Sequence, residues 1–306
     1  MPPRLHPLLS CLIFIVMWHV AAGIAGAIPF GVWVFQHLQE VLDAVRSTDP
    51  SASLQALMGR HGDVMMLGSA VSAVPILGVV LLCRRTIDQQ PWAGLGLTFN
   101  ARHLALGFAA GAAAVFGIFG LLALTGDLRV LGVTANAPVA RIVGLLAAVF
   151  LQSGSEELIC RGYLMRTLMG RYRPATSVAL VSVFFGALHL LNPDASAMSF
   201  VQTTLIGVLF SLVTLRTDGL WWAIGLHTAW NYTLAVIASL PVSGMTLSHL
   251  LDVEVVGPAW LTGGSYGLEA SVLTLALVTG GCVAAGVSLA RNRTPAPVAV
   301  PAAPPP

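Results

Sequence analysis

Glu156 and Glu157 stand side by side in a stretch, Ser155-Glu156-Glu157-Leu158-Ile159-Cys160-Arg161, that is otherwise apolar. Two further polar sets follow: Phe184-Phe185-Gly186-Ala187-Leu188-His189, and Trp221-Trp222 followed by His227-Thr228-Ala229-Trp230-Asn231. On a helix, Glu157 and Arg161 form an i,i+4 pair in the favourable order, acid first. Adjacent residues point about 100° apart, so Glu156 and Glu157 are not expected to face one partner. Glu157–Arg161 then braces its helix, and Glu156 is left free to act as a general base. Phe185 and His189 share one helical face, as do His227 and Asn231.

Charged groups in lipid are costly, face the bundle interior and mark function by default. Depth tests whether these sets belong together. At about 1.5 Å per residue from the nearer interface, Glu156 lies about 16 Å deep, His189 about 18 Å, His227 about 12 Å and Asn231 about 18 Å. Any one of these histidines alone reads as a satisfied core residue, and Glu157–Arg161 alone as a structural ion pair. The whole set at one depth reads as a site. His19 has no acidic companion, and His103 and His249 sit near span ends.

The elements that must position these groups are membrane helices. A span needs about 20 mostly apolar residues. Eight stretches qualify: roughly 8–35, 64–82, 103–124, 141–168, 176–191, 198–215, 219–240 and 270–290. The first continues too far to be a signal-peptide core and is expected to remain as a helix. With both ends cytoplasmic, ten arginines fall inside and four (Arg46, Arg60, Arg129, Arg141) outside, which obeys the positive-inside rule. The outer 36–63 loop reads as an amphipathic surface helix, with Leu38, Val41, Leu42 and Val45 on one face. Gly107, Gly111, Gly117 and Gly120 mark one side of the third span, where small residues allow close helix approach.

Composition agrees. The chain has 306 residues, 56% hydrophobic and 9% charged; soluble domains carry about 25% charged residues. Mean hydropathy is +0.83. An ordinary cytosolic enzyme, a disordered chain and a nucleic-acid binder are excluded. Cys11, Cys83, Cys160 and Cys282 lie in or beside apolar runs without CxxC spacing, so neither a disulfide framework nor a zinc ribbon is expected. The expected fold class is all-α: a polytopic integral membrane helix bundle of about eight transmembrane helices. It forms one domain over 1–293, with the three polar sets inside about 140–238, followed by a Pro/Ala-rich disordered tail at 294–306.

Glu156-Glu157-x-x-x-Arg161, Phe185-x-x-x-His189 and His227-x-x-x-Asn231 together resemble the motif set of the CPBP family. That family comprises type II CAAX prenyl proteases and bacterial bacteriocin-processing and self-immunity proteins. The resemblance covers about residues 140–238. It implies an intramembrane endopeptidase in which Glu156 and His189 activate a water. His227 and Asn231 stabilise the oxyanion; Glu157, Arg161 and Phe185 support the site.

A divalent metal such as zinc stays open, held by Glu156, His189 and His227 if present. HxxxN is not the zincin HExxH, and Asn is a poor zinc ligand, so metal-free water activation is favoured and no cofactor is required. The expected partners are the lipid bilayer and a peptide or membrane-protein substrate, with no nucleic acid. The expected location is the plasma membrane, with the wet mouth of the cavity facing the cytoplasm. The rival readings are a non-catalytic scaffold or self-immunity factor of the same fold, and a proton-coupled transporter.

Overall fold

The computed structural model describes residues 5–134 and 139–291. The tail expected at 294–306 lies outside the described residues. Seven described helices are long and apolar enough to cross a membrane, and they form a polytopic all-α bundle.

The first is α1 (Pro7–Gln36). Two short helices, α2 (Leu38–Val45) and α3 (Pro50–Arg60), lead into α4 (Gly62–Thr86) and α5 (Ala101–Thr125). After β1 (Leu128–Val133) comes α6 (Val139–Glu157), which continues through a π-helical segment, Leu158–Leu164, into α7 (Met165–Leu168). Next are α8 (Pro174–Leu188) and α9 (Ala197–Thr217). Then α10 (Trp221–Tyr232) runs into a second π-helical segment, Thr233–Ile237. β2 (Leu251–Val255), a single turn α11 (Ala259–Thr262) and α12 (Val272–Arg291) complete the described chain.

The stretch expected as a span at 219–240 is therefore a 12-residue helix with a π-helical extension. It is shorter than its neighbours and packs among them. The fifth span runs to Leu191 as expected: α8 stops at Leu188, and a short 3₁₀ turn opened by His189 completes it. Asn192 precedes Pro193 and is extended (φ −75°, ψ 154°), as a residue before proline prefers. An antiparallel pair, β1 with β2, joins the segments after α5 and before α12; the sequence analysis did not foresee it.

Two apolar clusters hold the bundle. One gathers Phe14, Val80, Cys83, Leu158, Tyr163, Phe185 and Ile224. The other gathers Val115, Val149, Trp230, Leu234 and Leu268. Ile224 and Trp230 of α10 thus belong to different clusters, and His227 lies between them in sequence. Ile24, Ile28, Val74, Leu124 and Val283 are exposed; on apolar helices such positions face lipid rather than water. The four cysteines are free thiols.

The amphipathic helix expected after α1 is α2. Its Val41 packs with Trp33, Ala44 and Leu57 in a small cluster, while Leu38 and Val45 stay exposed.

Glycine sets the approach of α5 to α10. A Cβ on Gly107 would meet the Trp222 carbonyl, and one on Gly111 the Leu226 carbonyl. The contact is reciprocal, because a Cβ on Gly225 would meet the Leu104 carbonyl. Gly117 and Gly120 have nothing within 4 Å of an added Cβ, so only half of the expected glycine face packs. Gly111→Leu is accordingly expected to force α5 off α10 and destabilise the protein by about 1–3 kcal/mol or more. Gly117→Ala is expected to be neutral or stabilising. Thermal unfolding of both variants in detergent checks this; equal midpoints would contradict the packing.

Candidate active site

Glu157 is the last residue of α6, and the backbone widens to i→i+5 bonding immediately after it. The Met165 N–H accordingly donates to Cys160 O. A second widening starts two residues after Asn231, where the Ala238 N–H donates to Thr233 O. Single π turns inside helices are frequent at functional sites. Here one contains Arg161 of the first polar set, and the other begins two residues after Asn231.

Arg161 is buried without solvent exposure, as is Glu157. Its Nη1 donates to Glu157 Oε1 at 3.2 Å, its Nη2 to Gly207 O at 2.9 Å, and its Nε to Ser211 Oγ at 3.4 Å. Its guanidinium carbon lies 4.5 Å from the centre of the Phe185 ring and 5.3 Å from that of Phe210. A desolvated cation over an aromatic face gains about 2 kcal/mol. Phe185 thus supports the site through Arg161 as well as through its own helix.

Glu157 Oε1 also takes a hydrogen bond from His227 Nδ1 at 3.0 Å. A carboxylate can only accept, so this contact places a proton on Nδ1. The other nitrogen, Nε2, lies 3.8 Å from Glu156 Oε2. This corrects the expectation that the two glutamates face different partners. The imidazole has a nitrogen on each side and spans the angle between them. Its ring stacks on Phe210 with centroids 5.0 Å apart and meets Phe185 edge-on at 6.2 Å.

Glu156 is not isolated either. Gln152, one turn earlier on α6, donates to Glu156 Oε1 at 2.6 Å. Asn231 Nδ2 donates to Gln152 Oε1 at 3.5 Å. Gln152 therefore links Glu156 to Asn231. Sequence reasoning missed it, although its i,i+4 spacing to Glu156 was the available signal. Glu156 Oε2 is buried and has no hydrogen-bond partner among the described residues.

His189 does not hydrogen-bond to Glu156. Its Nδ1 lies 2.8 Å from Phe185 O, and a carbonyl can only accept, so Nδ1 carries the proton and Nε2 keeps its lone pair. Glu156, His189, His227, Asn231 and Gln152 nevertheless line one cavity of about 1080 Å³. Its wall also includes His19 and His103, which the sequence analysis set aside, and Glu269. Glu269 is buried and accepts from the Ser243 N–H and Oγ–H, both at 2.6 Å.

The metal reading fits this arrangement poorly. Glu156 and His227 offer two facing donors. Among the described residues, however, the one group of three His, Cys, Asp or Glu donor atoms within 4.8 Å of one another is His37, Glu40 and His61. Glu156, His189 and His227 do not form such a set, and no step below is routed through a metal.

Residues 138–233 match the family model described as Type II CAAX prenyl endopeptidase Rce1-like. No curated protein matches the chain. The match spans all three motifs, so the resemblance read from them holds over that segment. At the level of the family it supports an intramembrane CAAX-type protease.

Arg161→Met is expected to leave Glu157 buried beside His227 without its cation, at a cost of about 3–5 kcal/mol. The double variant Glu157→Gln with Arg161→Met is expected to recover part of that loss. Thermal midpoints of the two variants check this; a double variant less stable than the single one would contradict it.

Proposed function

We propose that this chain is a glutamate-dependent intramembrane endopeptidase. The observation that carries the reading is His227, bonded to Glu157 on one side and facing Glu156 on the other, in a cavity walled by apolar helices. Peptide hydrolysis needs a base for water and donors for the developing oxyanion. Glu156 takes a proton from a water, and the resulting hydroxide attacks the peptide carbonyl carbon. His189 accepts from that water through Nε2 and orients it. His227, as the imidazolium held between Glu157 and Glu156, donates from Nε2–H, and Asn231 from Nδ2–H, to the tetrahedral oxygen. As the C–N bond breaks, Glu156 returns its proton to the leaving amine.

Each residue has a support that matches its task. Gln152 fixes the Glu156 carboxylate through one oxygen and leaves the other for the water. Glu157 and Arg161 hold the His227 ring and take no part in bond making. The apolar helices around the cavity lower the local dielectric, where each donor is worth more.

The substrate is a peptide or a membrane protein. The protein acts in the plasma membrane with both termini in the cytoplasm, the arrangement that the arginine distribution favours.

The test compares protein termini in cells carrying wild type or Glu156→Gln at equal abundance. New termini in wild type that vanish in the variant are the expected outcome, and they identify substrates. Identical termini under every stress condition tried would favour a non-catalytic scaffold. Asn231→Ala is expected to lower kcat by about 10²–10³-fold with little change in KM, as removal of one oxyanion donor does. Turnover of an identified substrate by purified protein measures this.

A further inference from the structure

We propose that His37, Glu40 and His61 form a zinc site at the outer end of the bundle, separate from the catalytic cavity. None of the three lines that cavity. They come from three places in the chain: His37 closes α1, Glu40 lies in the first turn of α2, and His61 stands between α3 and α4. Their donor atoms nevertheless lie within 4.8 Å of one another. His61 Nε2 is 3.8 Å from Glu40 Oε2, and the two imidazole rings meet edge to face with centroids 4.5 Å apart.

A second observation points to a metal. His37 Nδ1 is 3.0 Å from Trp33 O. The carbonyl can only accept, so the proton sits on Nδ1 and the lone pair on Nε2. Metal-binding histidines are oriented in this way by a backbone carbonyl. Trp33 is buried and packs on both rings, at 5.4 Å from His37 and 5.3 Å from His61. The imidazoles are thus held in place by packing, while the Glu40 side chain is half exposed and free to turn onto an ion.

Two imidazole nitrogens and one carboxylate, with no thiolate, form a donor set suited to zinc, which binds them at about 2.0–2.2 Å and leaves a fourth position for water. Calcium and magnesium prefer all-oxygen sites.

The site sits where an ion would brace the outer cap. Two residues before His61, Gly59 O accepts from the Thr246 N–H at 2.9 Å and from its Oγ–H at 3.0 Å. Two residues after it, Asp63 accepts from the Ser248 N–H at 2.8 Å and from its Oγ–H at 2.6 Å. Met58, Val242, Ser243 and Met245 line the cavity. Zinc bound at His61 would therefore steady the segment that covers the outer end of the cavity.

The test uses the full chain in detergent, stripped with a chelator and titrated with zinc chloride. Wild type is expected to retain one zinc per chain after gel filtration and to gain thermal stability on binding. Glu40→Gln, His37→Gln and His61→Gln are each expected to weaken binding by about tenfold or more, the lower end of the effect of losing a group that supports a metal site. Glu40→Gln alters an exposed side chain, so its metal-free thermal midpoint should match that of wild type. Glu156→Gln is expected to keep the zinc. Cobalt(II) in place of zinc is expected to quench tryptophan fluorescence, and Trp33→Phe to remove that quenching while metal content stays unchanged. A wild type that retains no zinc, or three ligand variants that bind like wild type, would overturn the proposal. Loss of the zinc in Glu156→Gln would also overturn it, by placing the ion in the cavity.

Discussion

A guanidinium with no access to solvent is the constraint on which the rest of the site depends. Burying Arg161 costs several kcal/mol unless each face of the cation is satisfied. The protein meets that demand with Glu157, the Gly207 carbonyl, the Ser211 hydroxyl and two aromatic rings. These partners come from α6, α8 and α9. Satisfying Arg161 therefore fixes three helices relative to one another. Because Glu157 is also the acceptor of His227 Nδ1, the same ion pair sets the position of α10. One buried charge thus aligns the four elements that carry the polar residues.

The division between Glu157 and Glu156 follows from this. Glu157 spends one oxygen on two donors and is closed off from the cavity. Glu156, one residue earlier, reaches the cavity wall and is held by the neutral Gln152. A neutral donor orients the carboxylate without neutralising it, as the proposed role of Glu156 requires. The close α5–α10 crossing adds to this arrangement. Gly107, Gly111 and Gly225 let α10 lie deep among longer helices.

Much of the site was legible in the sequence because i,i+4 spacing in an apolar run leaves few alternatives. Glu157–Arg161, Phe185–His189 and His227–Asn231 each share a face as read. The relation between Glu156 and Glu157 was not legible. Helical angles predicted divergence, but an imidazole from a distant helix bridges both. Gln152 was overlooked because an amide among aliphatic residues carries no charge signal. The end of the fifth span at Leu191 was readable, because Asn192 before Pro193 prefers an extended backbone, whereas the two π-helical segments have no sequence mark. The pairing of β1 with β2, and the placing of Val242, Ser243 and Met245 in the cavity wall, rest on long-range contacts that local pattern does not encode.

The central claim is that His227 is held by Glu157 and presented to Glu156. Solid-state NMR on protein in lipid, labelled with ¹⁵N-histidine and ¹³C-glutamate, measures it most directly, with His227→Gln used to assign the signal. The account predicts a protonated His227 Nδ1 with a strong dipolar coupling to the Glu157 carboxylate carbon, and loss of that coupling in Glu157→Gln. A His227 Nδ1 with no carboxylate neighbour, or one coupled equally in wild type and Glu157→Gln, would contradict it.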